Sequence, residues 1–148
     1  MVKSLQDKMS NGREYRNMKL EAREAGEGEM IVEGYAATFN QPYMLWHTRD
    51  YEVWEQVDAR AFDDCDMSDV IFQYDHEGRV FARNKNGTMS LAADAVGLFT
   101  RADLSGTDIG KQLYQEIKGG YTDKMSFCFT VDEDERTIRE DEEKTVVM

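Results

Sequence analysis

Short runs in which apolar side chains fall at every second position, parted by Gly and Asn, dominate this chain from Tyr15 onward. That period matches a β-strand, whose successive side chains point to opposite faces, and no helix can present it as one apolar stripe. Only one proline, Pro42, interrupts the 148 residues, so the strands are free to donate to a ladder. The fold class expected is mainly β with minor α, an α+β protein.

Arg13 to Glu24 alternates around Tyr15, Met18, Leu20 and Ala22, and Glu29 to Phe39 alternates around Ile31, Tyr35, Ala37 and Phe39. The AGEG between them predicts a hairpin. Asn40 to Trp54 mixes aromatic and polar residues without a clean period, and the reading there stays open between a loop and a short strand. The apolar run ending at Tyr74 predicts a strand, with His76 just beyond it in the turn Asp75-His76-Glu77-Gly78. Asn86-Gly87 lies between two extended arms and predicts a two-residue hairpin, because this dipeptide tolerates positive φ. Asp94 to Gly97 turns into a strand over Leu98 to Leu104.

Ile109, Leu113 and Ile117 recur at helical spacing, with Ser105 or Thr107 as N-cap candidates and Gly119-Gly120 as the stop. Lys124 to Val131 returns to strand spacing, with Met125, Phe127 and Phe129 on one face and Ser126, Cys128 and Thr130 on the other. The acidic run after it reads as a solvated loop or hairpin tip, and the final TVVM as a strand cut short. Residues 1–12 are polar and patternless, an expected disordered arm before a single domain over 13–148.

The formal net charge is -12, and a surface this acidic repels nucleic acid and anionic membranes. No apolar run reaches membrane-spanning length and no secretory signal pattern opens the chain, which points to a cytoplasm. Two cysteines, Cys65 and Cys128, are too few for a disulfide framework and lack metal-ligand spacing. Both are expected reduced and partly buried, with no metal and no cofactor.

Hydrolytic chemistry has a small pool to draw on. The two histidines are His47 and His76, and the nucleophile candidates are Ser126, Cys128 and other hydroxyls. Serine needs a base at neutral pH, and histidine has the suitable pKa. No GxSxG elbow is present, and spacing alone does not choose among the pairs.

The order of segments narrows the choice. REYRNMKLEAR, MIVEGYAATFN, DARAF, DVIFQYDHEGRVFARNKNGTMSLAADAVGLF, TDIGKQLYQEIKGG and KMSFCF together resemble the prohead (capsid maturation) protease family of tailed phages, relatives of the herpesvirus capsid maturation serine protease, assemblin. The resemblance implies a compact β-barrel-like core with one or two flanking helices. It implies Ser126 as nucleophile and His76 as general base of a serine endopeptidase. It further implies the major capsid protein and its scaffolding segment as substrate, self-cleavage, a homodimer by analogy with the herpesvirus enzymes, and action in the bacterial host cytoplasm inside the procapsid.

Departures accompany the matches. Asp58-Ala59-Arg60-Ala61-Phe62 replaces a proline-glycine turn of the family, and Cys128 stands where the family has a small glycine. As an alternative nucleophile its sulfur would lie about 6.5–7 Å along the strand from Ser126. The family's orienting acid belongs to a strand downstream of the nucleophile, in a segment expected beyond Met148. In the herpesvirus relatives a second histidine fills that role, which brings in His47, although a loop or packing role suits its aromatic surroundings better. Asp75 and Glu77 flank His76, but neighbours on an extended chain point apart. Loss of an orienting acid costs about four orders of magnitude in a well-studied triad, so the competing reading is a weak or inactive protease-fold domain acting as a capsid-assembly partner.

Overall fold

The computed structural model describes residues 14–23, 26, 28–75, 77–129, 138–140 and 145–147, with the backbone alone at 14–18, 126–129, 138–140 and 145–147. The described residues are mainly strand, with one α-helix among them, which agrees with the mainly β, minor α reading.

The framework is an antiparallel sheet of β2 (Glu21–Arg23), β3 (Ile31–Thr38), β9 (Gly97–Asp103) and β8 (Met89–Ala93), in the order β2-β3-β9-β8. β1 (Glu14–Lys19) and β2 form one run broken only at Leu20. The expected hairpin therefore divides: β2 pairs with β3 through Ala22 and Val32, whereas β1 leaves to pair with β10 (Lys124–Phe129). Leu20 N–H donates to the Asp123 carbonyl across 2.8 Å at the bend. Gly34 permits this turn of direction, because a Cβ there would lie 2.5 Å from the Lys19 carbonyl oxygen.

The core forms where this sheet meets α1 (Asp108–Lys118). Leu113, Tyr114 and Ile117 of the helix are buried together with Val32, Ala37, Leu98, Ala102 and Leu104. Thr107 is the N-cap, its hydroxyl accepting from Gly110 N–H at 3.0 Å, and Gly119-Gly120 end the helix. The predicted helix and its caps are in place.

Other expectations change. No closed barrel is found among the described residues: the strands form open sheets with free edges. Asn86-Gly87 does not join a hairpin. It closes a 3-10 turn over Asn84–Asn86, with Gly87 at φ 79, between β7 (Val80–Arg83) and β8, which belong to different sheets. The positive φ was legible; the partner strands were not. Asn40 to Trp54 proves to be a hairpin of β4 (Tyr43–His47) and β5 (Tyr51–Glu55). Its register shifts between Met44 and Trp46, and such a bulge breaks the two-residue period. Cys65, expected partly buried, is free and exposed, beyond a turn that begins at Asp58. The side chain of Cys128 and the arm at 1–12 lie outside the described residues. β11 (Ile138–Glu140) and β12 (Thr145–Val147) pair antiparallel, and β12 lies parallel to β5.

Candidate active site

Ser126 is the third residue of β10 and lies opposite Asn17 of β1. Met125 beside it is buried, and alternation assigns position 126 to the other face of the strand. Lys124 to Phe129 is in continuous antiparallel register with β1, so this position belongs to a paired element and not to a loop. Its side-chain contacts lie outside the described residues.

His76 itself also lies outside the described residues, but its neighbours do not. β6 (Ile71–Gln73) and β7 form a two-stranded ribbon, and the chain between them carries His76. Asn84 holds the approach to β6: its Oδ1 accepts from Val70 N–H at 2.8 Å and its Nδ2 donates to the Met67 carbonyl at 2.7 Å. Arg83 Nε donates to Asp69 Oδ1 at 2.6 Å. The Arg83 guanidinium holds the Asp69 carboxyl below the usual aspartate range, and Asp69 in turn raises Arg83.

Beyond β6 the chain turns sharply. Asp75 has φ 53, left-handed backbone that few non-glycine residues adopt. Glu77 N–H donates to the Tyr74 carbonyl at 3.3 Å, and Gln73 Nε2 donates to the Gly78 carbonyl at 3.1 Å. The turn is thus tied on both sides of position 76. This corrects one premise of the sequence reading, since Asp75 is not on an extended chain. Gln73 and Asn84 escaped that reading, because a lone amide side chain gives no sign of which carbonyl it will bind.

His47 ends β4, exposed and opposite Glu52. Among the described residues no cluster of His, Cys, Asp or Glu is arranged to hold a metal, and no helix is long and apolar enough to cross a membrane.

The structure thus places position 126 on a paired strand and ties the residues on either side of position 76. The family comparison is more specific: residues 16–148 match the model of the caudovirus prohead serine protease, and the chain belongs to that family. Neither the comparison with curated proteins nor that with solved structures gave a match.

Proposed function

We propose that this chain is a serine endopeptidase that cleaves capsid and scaffolding proteins during prohead maturation, with Ser126 as nucleophile and His76 as general base. The observation that carries the reading is the family match over residues 16–148, within which Ser126 stands on a paired strand beside the buried Met125. In this scheme His76 accepts the proton from Ser126 as its oxygen attacks the scissile carbonyl. The acyl-enzyme forms with departure of the amine, which takes the proton, and water then releases the acyl group. The substrate is the major capsid protein with its scaffolding segment, met inside the procapsid in the host cytoplasm. Self-cleavage and a homodimer belong to the same reading.

Labelling with a serine-reactive fluorophosphonate, followed by mass mapping, tests it. Modification at Ser126 that disappears in His76→Gln and persists in Cys128→Ala supports the assignment. A folded chain that is not modified, and does not cut capsid protein, overturns it in favour of the assembly-partner reading.

A further inference from the structure

Both tryptophans of the chain, Trp46 and Trp54, stand on the β4–β5 hairpin together with Tyr43 and Tyr51. No residue of either strand is buried, and none belongs to the core cluster. Met44 is 44% exposed and Tyr51 39%. The register puts Tyr43, Trp46, Val53 and Glu55 on one face and Met44, His47, Glu52 and Trp54 on the other, so large apolar groups occupy both sides. Trp46 packs on Tyr51 with ring centroids 5.4 Å apart, and Trp54 Nε1 donates to Glu52 at 3.0 Å. These contacts order the ribbon without covering it.

One long side of the ribbon is open among the described residues. β5 pairs with β12, while β4 is the last strand of its sheet among the described residues. Edges of this kind are commonly blunted by lysine or proline, and the five residues YMLWH contain neither. The bulge at Leu45 limits the usable edge to a short segment.

Charge says which segment fits. Asp50, Glu52 and Glu55 accompany Arg49 on the hairpin, and Asp58, Asp63, Asp64, Asp66 and Asp69 follow with Arg60. Three carboxylates less one arginine leave a net charge of -2 on the hairpin itself. A second copy would bring the same carboxylates against themselves, whereas a cationic strand is drawn in. We propose that the edge of β4 binds an extended peptide alternating Lys or Arg with apolar residues, adding it to the sheet as a further strand. This goes beyond the protease reading and does not depend on it.

Because both tryptophans lie on the hairpin, fluorescence excited at the red edge of the tryptophan band, where tyrosine does not absorb, reports on this surface. The Ser126→Ala chain, which removes the proposed nucleophile, is titrated with a capped peptide alternating Lys and Val. A Glu/Val peptide and a Lys/Val peptide N-methylated at every second residue serve as controls. The expected result is a saturable change with a dissociation constant below about 1 mM, absent for the Glu/Val peptide and at least about tenfold weaker for the N-methylated one. Asp50→Asn combined with Glu52→Gln and Glu55→Gln weakens binding of the Lys/Val peptide by a similar factor. No saturable change, indifference to peptide charge, or equal binding of the N-methylated peptide overturns the proposal. So does a fluorescence change on diluting the protein alone, which assigns the surface to a second copy.

Discussion

Gly97→Ala is expected to be among the most damaging single-methyl additions to this fold. Gly97 opens β9 opposite Thr38, and a Cβ there would lie 1.9 Å from the Ala37 carbonyl oxygen and 2.9 Å from both the Ala37 carbonyl carbon and Thr38 Cα. Real Cβ contacts essentially never fall below 3.0 Å, so moving from 1.9 to 3.0 requires a displacement of about 1.1 Å. The obstructing atoms are all backbone and cannot swing aside as a side chain would. Ala37 is wholly buried and Leu98 nearly so, so separating β3 from β9 opens the core. The same shift strains the Asp94 turn, where Gly97 N–H donates to Asp94 Oδ1 at 3.0 Å. Overpacking costs about 1–3 kcal/mol and a weakened hydrogen bond about 1, giving roughly 2–4 kcal/mol in total. With a urea slope of about 1–3 kcal/mol per molar, the unfolding midpoint falls by about 1–2 M. Gly106→Ala is the control, since that residue is exposed and has nothing within 4 Å of the added carbon. It should stay within about 0.5 kcal/mol. A Gly97→Ala midpoint equal to that of the control, with unchanged slope, would refute the steric argument.

Thr107→Ala removes the helix cap and should lower stability by about 1 kcal/mol in urea unfolding, with Thr107→Ser recovering most of it. Asp94 is held below an aspartate's ordinary 3.8, first by the Tyr35 hydroxyl at 2.7 Å and then by the N–H groups of Gly97 and Val96. A depressed carboxyl contributes stability above its unfolded value that is lost as pH falls through the folded one, so Asp94→Asn should flatten the decline between about pH 5 and pH 2. An identical acid limb in thermal scans of the two proteins would dismiss that role. On the protease reading, Gln73→Ala should slow fluorophosphonate labelling of Ser126 by about threefold to tenfold and alter its pH dependence, with the thermal midpoint unchanged. A loss in proportion to unfolding would make Gln73 merely structural.

Local chemistry was legible where one segment sufficed to decide it. The spacing of Leu113 and Ile117, the Thr107 hydroxyl and Gly119-Gly120 determine α1 from within, and Met125 marks the buried side of β10. What escaped depended on distant partners. The run from Tyr15 to Ala22 looks uniform, yet it serves two strands because Leu20 and Asp123 meet at a bend. Arg83 and Thr88 are joined by hydrogen bonds, as across a hairpin neck, yet β7 pairs with β6 and β8 with β9. At the site, the resemblance supplied the residue types, but the tie from Gln73 to Gly78 has no signature in one dimension.

The two halves of the proposed catalytic pair are held by unequal means. β10 is fixed through its length by β1, by Met125 in the core and by the Leu20–Asp123 bond, so moving position 126 requires parting strands. Among the described residues, the chain on either side of position 76 is tied by two hydrogen bonds, Gln73 to Gly78 and Glu77 to Tyr74, the former solvent-exposed, and each such bond contributes only about 1 kcal/mol net. Elements held this lightly open locally far more often than the core does. On the protease reading, positioning of the base is then the more variable step, and the positive φ at Asp75 is a local backbone cost in the turn that leads to it.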